Sequence, residues 1–516
     1  MVDPVRPFAA LAALLARLGI IGRDRLTATV DLAWPRVITG FAIMSKQTAD
    51  LAMVGSVLGA QAVAGLAFAG AYWTVGKFVA IGLAGGTVGL VSQHYGGGES
   101  ARAALLVKQS VWVALVLAVP VVAGFVAFAD PLIALLSDDA AAVGYGTTYL
   151  GIVAPALVFE FLNMIASRTY AGVSDTFTPM VVRAGGAVLN VILSGALIFG
   201  FGWGVAGAAT GTAVATGAVT LTFSWGMFGR EYFGRGASPV ALSLAGPQFD
   251  RELLGQLLRV STPLIARRVS QGLATFPLLA ITASFGSATV AALEVGRRVR
   301  NIANSTSWGF SIASSTLVGQ ALGAGEEGEA TAYGTQIITL AAVVHLFVAA
   351  GVILLAEPIA TIFVADPAAI ALSATFIAVS AVSLVALGVD GSATGALRGA
   401  GDTRIPFYAS LVGLYIFTLP VAYLGTVTAL GEAALYVALV LETGVPAAVT
   451  LWRWRREPGG GGGRPHRAGG EALGGGAGRL CQFKPQHPNK RDAILPRGTG
   501  SRCGAPSGFW FFPLCM

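Results

Sequence analysis

Twelve stretches of mostly apolar residues, most of them twenty residues or longer, follow one another between positions 32 and 452. Each can cross a hydrocarbon core of about 30 Å as a helix. Inside a bilayer the backbone must satisfy its own hydrogen bonds, so only helices and closed barrels span it. Runs this long and continuous specify helices. Charged residues make up 11% of the chain and its mean hydropathy is +0.72, whereas a soluble domain carries about 25% charged residues. The expectation is an all-α integral membrane protein with twelve transmembrane helices.

The spans fall near 32–58, 63–91, 104–127, 142–170, 180–201 and 204–228, then 255–285, 290–318, 331–355, 368–396, 405–425 and 431–452. They divide the chain into a segment at 1–30, a first lobe at 31–228, a polar linker at 229–254, a second lobe at 255–455 and a tail at 456–516. The first segment is too short in apolar residues to span, and is expected to lie on the membrane as an amphipathic helix. The tail is rich in Gly, Arg and Pro, lacks a helical period, and is expected to be disordered. Its three cysteines are the only ones in the chain, so the spans carry no disulfide and no thiolate metal site.

In a twelve-span count Arg17, Arg23, Arg25, Arg102, Lys108, Arg168, Arg183, Arg230, Arg251, Arg404 and Arg453 fall on one side. Asp130, Asp138, Asp139, Glu357, Asp366 and Glu432 fall on the other. Positive loops stay inside, so both termini are expected to be cytoplasmic in a multi-pass plasma-membrane protein. The net charge of +7 reflects those loops and the tail and does not argue for nucleic acid.

A repeat organises the lobes. Val91-Ser92-Gln93 and Gly96 to Glu99 answer to Val318-Gly319-Gln320 and Gly323 to Glu326, at a shift of 227 residues. The same shift takes Pro131 to Pro358, Gly172 to Gly399, Asp175-Thr176 to Asp402-Thr403, Pro179 to Pro406 and Gly204 to Gly431. Two six-helix units therefore derive from one. An even number of helices per unit keeps them parallel, and transporters built this way hold substrate between the halves. Asp175 and Asp402 are expected to cap the helices that follow them, and Gln93 and Gln320 to hydrogen-bond at a helix interface.

Within the first span lies Asp50. A carboxylate at that depth costs roughly 2.5–3.5 kcal/mol on insertion scales and marks a functional site by default. Lys46 stands one turn earlier on the same face, close enough to pair. Two readings stay open: Asp50 binds a driving ion, or Asp50 and Lys46 form a static ion pair. In the second lobe Arg267, Arg268, Glu294, Arg297, Arg298, Arg300 and Asp390 also lie within apolar spans. Arg267, Arg268 and Arg298 with Asp390 are candidates for a positive substrate cavity, or for struts. Glu294 and Arg298 have the spacing to pair. No Walker loop, His-Glu-x-x-His or Gly-x-Ser-x-Gly appears, and no span holds paired aspartates, which argues against an ATPase or an intramembrane enzyme.

Gly172-Val173-Ser174-Asp175-Thr176-Phe177-Thr178-Pro179 and Leu397-Arg398-Gly399-Ala400-Gly401-Asp402-Thr403-Arg404-Ile405-Pro406 resemble the paired loop signatures of multidrug and toxic compound extrusion (MATE) transporters. So do Val318 to Gly325 and Gly204 to Ala209. The resemblance covers about residues 30–455 and points to the branch of the DNA-damage-inducible F proteins and archaeal relatives. It implies two six-helix lobes that export amphipathic organic compounds in exchange for H⁺ or Na⁺, with no other cofactor, in a monomer surrounded by lipid. In that branch the ion site has an aspartate on the first helix, an asparagine and an aspartate on the fifth, and a threonine on the sixth. Asp50, Asn190 and Thr212 match; Ser194 stands where the second aspartate is expected, and Asn163 is a further candidate. The alternative the resemblance allows is a flippase for a lipid or lipid-linked anionic substrate.

Overall fold

The computed structural model describes residues 17–457 apart from 18, 233, 235, 244 and 365. The expectations for residues 1–16 and for the tail from 458 lie outside the described residues. Twelve long helical segments run through the rest: α1 (Arg23–Leu58), α2 (Ala60–Gly96), α3 (Ser100–Ala127), α4 (Ala140–Val153 and Ala156–Gly172), α5 (Phe177–Gly195, then a π turn at Ala196–Gly200) and α6 (Gly204–Met227). The second set is α7 (Arg251–Ala283), α8 (Ser287–Gly323), α9 (Glu327–Leu354), α10 (Pro367–Gly399), α11 (Arg404–Leu411, a π turn at Val412–Thr418, then Leu419–Val427) and α12 (Ala433–Arg456). The repeat is visible in the bounds: α2 and α8 are each 37 residues long, and α3 and α9 each 28.

Eight of these segments are long and apolar enough to cross a membrane, and the two halves of α4, bent by 54°, make a ninth. The bend falls at Pro155, which has no N–H to continue the ladder. The other three, α1, α7 and α8, are equally long but interrupted by charge. They are also the helices at the lobe interface, where α1 packs on α8 and α2 packs on α7 and α8. Their charged groups have protein beside them rather than lipid.

Residues 23–30 do not form a separate surface helix, as the sequence suggested. They are the first turns of α1, with Leu26 and Thr29 buried. Contact with the second lobe recruits them: Arg25 forms a bidentate pair with Glu329 of α9 at 2.7 and 2.9 Å. The 227-residue shift relates this pair to Glu252 and Arg102, which lie 3.8 Å apart. The partners have exchanged charge. Gln93 donates to the Gly399 carbonyl at 2.6 Å, and its counterpart Gln320 donates to the Gly172 carbonyl at 2.8 Å. Gly96 and Gly323 are counterparts too, and each lies against the opposite helix so tightly that a Cβ would strike the backbone of Gln320 or Gln93. Small residues of this kind permit close helix contact in membranes. These bonds lie at the end of the bundle where α1 begins and α12 ends, and they fasten the lobes together there.

Asp175 caps α5, its Oδ1 accepting from Thr178 N–H at 2.9 Å. Asp402 differs from expectation: it accepts from Arg453 of α12 at 2.9 Å, because α12 brings a guanidinium to a place where α6 has Gly226.

Candidate functional site

Asp50 lies toward the far end of α1 and is 5% exposed. It faces α5 and α6. Asn190 and Ser194, one turn apart on α5, are fully buried, and Thr212 of α6 is 4% exposed. Gly211, beside Thr212, lets α6 lie directly on the backbone of Ser194. The Thr212 hydroxyl donates to Asp50 Oδ2 at 3.3 Å. With its nitrogen turned to the carboxylate, the orientation the surrounding donors and acceptors select, the Asn190 amide donates to both Asp50 oxygens at 3.2 and 3.3 Å. Its oxygen then accepts from the Thr212 N–H at 3.1 Å. Asp50, Asn190 and Thr212 thus form one closed polar knot, with the Ser194 hydroxyl at its edge and the Tyr149 hydroxyl facing Asp50 and Thr212. The π turn of α5 begins two residues after Ser194, and such turns frequently mark functional positions in helices.

Lys46 forms no direct ion pair with Asp50 among the described residues, though the two charges lie within electrostatic reach. Lys46 instead lines a cavity of the first lobe with Trp73, Lys77, Glu160, Asn163 and Arg183. Asn163 stands one turn away from the knot along α6: it donates to the Thr216 carbonyl at 3.2 Å and accepts from the Thr220 hydroxyl at 3.0 Å. It connects to Asp50 through α6 rather than by direct contact.

The second lobe holds its charge differently. Arg267 donates to Ser410 and Thr394, each at 2.7 Å, and to Asp390. Arg300 and Glu442 form a bidentate pair at 2.8 and 3.0 Å. Arg298 is exposed, and Glu294 meets Arg297 at 3.9 Å rather than Arg298. Arg267 and Asp390 are therefore a strut, with each nitrogen of the guanidinium engaged. Arg268 is turned away from them, donating to Gln271 at 3.1 Å with its guanidinium 5.6 Å from the Trp308 ring.

A family model described as MatE matches residues 35–195 and again 263–424, once in each lobe and over more than half the chain. The chain belongs to the MATE family. It is accordingly a multi-pass membrane transporter and not an enzyme. It is similar to a probable multidrug resistance protein NorM of Rhodopseudomonas palustris, 27% identical over 454 residues, covering 84% of this chain and 92% of the relative. It is also similar to the multidrug resistance protein PmpM of Pseudomonas aeruginosa, 27% identical over 416 residues, with 78% and 85% covered. A MATE crystal structure in the bent conformation superposes with a TM-score of 0.77 at 22% identity, covering 84% of this chain and 95% of that one. A MOP superfamily transporter from Pyrococcus furiosus, described as having a binding pocket of reverse polarity, gives 0.77 at 22%, with 84% and 96% covered. These likenesses establish the MATE fold.

Several polar residues of this MATE protein escaped the sequence reading. Arg168 and Arg183, counted there as loop cations, are buried in α4 and α5, and Arg183 pairs with Glu160 at 2.8 Å. Lys77 and Glu160 are charges within apolar spans, the signal that singled out Asp50, and would have been found by applying it evenly. Tyr149 carried no such signal.

Proposed function

We propose that this protein is a secondary antiporter that exports amphipathic organic compounds while H⁺ or Na⁺ moves inward through Asp50. The relatives named as multidrug resistance proteins support the cargo class. The observation that carries the coupling role is a buried carboxylate whose hydrogen-bond donors are all neutral among the described residues. Asn190 and Thr212 orient Asp50 without neutralising it, and Lys46 acts on it through space without closing an ion pair among the described residues, which leaves the carboxylate able to take up an exchangeable cation. Protonation removes the charge, and Na⁺ would find the carboxylate with the Thr212 and Ser194 hydroxyls beside it. The match of Asp50, Asn190 and Thr212 supports the branch of the DNA-damage-inducible F and archaeal transporters. Ser194 leaves one carboxylate where that branch has two.

One charge crossing 100 mV of membrane potential releases about 2.3 kcal/mol, enough to drive exchange without ATP or another cofactor. With the termini in the cytoplasm of a plasma-membrane monomer, the fastened end of the bundle is the cytoplasmic gate. Ion binding at Asp50 would bias the first lobe between two shapes, with the π turn of α5 as the pliable element beside it. A lipid or lipid-linked anion as cargo is favoured by a separate feature, the cationic cavity of the first lobe.

The test is transport by the purified protein in vesicles with H⁺ and Na⁺ gradients imposed separately. Ethidium efflux that follows one gradient supports the reading. Headgroup scrambling with no dependence on either gradient contradicts it.

A further inference from the structure

Next to the lobe interface, a cavity is lined by Arg36, Ser167, Arg168 and Arg183 together with the apolar Ile43, Met164 and Ile312. Arg183 is engaged by Glu160. Arg36 and Arg168 form no ion pair among the described residues. Arg36 Nε and Ser167 Oγ are buried without any hydrogen-bond partner. Arg168 is 8% exposed, forms no ion pair among the described residues, and stands within electrostatic reach of Arg36, Arg183, Arg268 and Arg398. Arg398 makes its own bonds only to neutral groups, Ser315 Oγ at 3.1 Å and the Ser311 carbonyl at 3.0 Å. Trp308 of α8 is approached by two guanidiniums, Arg36 of the first lobe at 5.1 Å and Arg268 of the second at 5.6 Å.

A buried charge is retained only where something compensates it, because leaving it unpaired is strongly destabilising. Struts in the second lobe show how this protein compensates a charge it intends to keep: Arg267 has Asp390 and Arg300 has Glu442. The interface arginines close no such pair among the described residues; Glu160 and Asp390 act on Arg36 and Arg268 only through space. A guanidinium fork matches the oxygens of a carboxylate, sulfonate or phosphate, and the apolar side of the same cavity suits the body of an amphipathic molecule.

We propose that Arg36, Arg168, Arg268 and Arg398 form a substrate site for amphipathic anions between the lobes, with Trp308 as its floor. The proposal deepens the transport reading and rests on it for the passage of cargo, but binding is a property of the site alone. The site draws on both lobes, so an anion held there links them. Release requires the lobes to part and the arginines to separate.

The experiment is equilibrium binding to the purified full-length protein in uncharged detergent, with 8-anilinonaphthalene-1-sulfonate as probe and ethidium as its cationic counterpart. Saturable binding of the sulfonate is expected, weakened about tenfold or more by Arg168→Gln or Arg36→Gln, the scale of a lost charge-assisted contact. Ethidium should show no such loss. Should Arg168→Gln fail to fold, Arg268→Gln removes a guanidinium bonded only to Gln271 and should weaken the sulfonate similarly. Phosphatidylglycerol that displaces the probe where phosphatidylcholine does not identifies a lipid headgroup as the source of the anion. Displacement by soluble organic sulfonates alone identifies a soluble cargo. Sulfonate binding that is unsaturable, or equal in wild type and variants, overturns the site. Gradient-driven ethidium efflux together with that result would leave the transport reading standing.

Discussion

The 227-residue shift carries Asp50 onto Pro277, Asn190 onto Phe417, Ser194 onto Val421 and Thr212 onto Leu439. Every polar member of the first lobe's knot is thus apolar in the second. In the other direction Arg267 falls on Gly40, Asp390 on Asn163, Arg300 on Trp73 and Glu442 on Ala215, so neither strut exists in the first lobe. The helices and the contacts that fasten the lobes have kept their correspondence, down to the reciprocal Gln93 and Gln320 bonds. The interiors have not. The first lobe holds a carboxylate outside any ion pair among the described residues, able to exchange an ion. The second closes Arg267 and Arg300 in pairs that resist change. The physical division is between a knot built to switch and struts built to stay.

The largest effect should come from breaking a strut. Arg267→Met leaves the largely enclosed Asp390 beside Thr394 and Thr450 without its paired cation, and should cost about 3 kcal/mol, read as a marked fall in melting temperature. A variant that melts like wild type would remove the rigidity assigned to the second lobe. A smaller effect is expected at the fastened end, where Arg25 and Glu329 are each about a third exposed. Arg25→Glu should cost about 0.2–1 kcal/mol and weaken closure of that end. Arg25→Glu combined with Glu329→Arg should restore it, since the Glu252 and Arg102 pair already uses that polarity. Spin-label distances across the two helix ends read the outcome, and a double variant no better than the single one counts against the gate. The smallest effect on stability belongs to Ser194→Asp. Placed beside Asn190, a second carboxylate should change the pH or Na⁺ dependence of transport. An unchanged profile would remove Ser194 from the ion site.

Much of this architecture was legible in the sequence, for a simple reason: membrane spans, glycine and proline signatures, and a constant shift are all local patterns. Asp50 could be named because it is a carboxylate deep in an apolar span, and Asn190 and Thr212 because they match the family's motif. What was not legible were partnerships across the fold. Arg25 and Glu329 are 304 positions apart, and Arg300 meets Glu442 across 142; no periodicity announces such pairs. Lys46 is instructive. Helical spacing placed it within electrostatic reach of Asp50, as the structure has it, but spacing fixes only the Cα positions, and the long side chain lines the cavity instead of closing an ion pair. Of the second lobe's arginines expected to make a positive cavity, Arg267 is closed by Asp390 and Arg298 is exposed, while Arg268 stays outside any ion pair among the described residues.

The most direct test is Asp50→Asn, compared with wild type for ion-gradient-driven efflux and for melting temperature in the same preparation. With its oxygen in the place of Oδ2 the amide can still accept from Thr212 and Asn190, but it can neither release a proton nor offer a full charge to Na⁺. Loss of gradient-driven efflux with an unchanged melting temperature is the predicted result. Gradient-driven efflux at the wild-type rate would contradict the account, and so would a variant that does not fold.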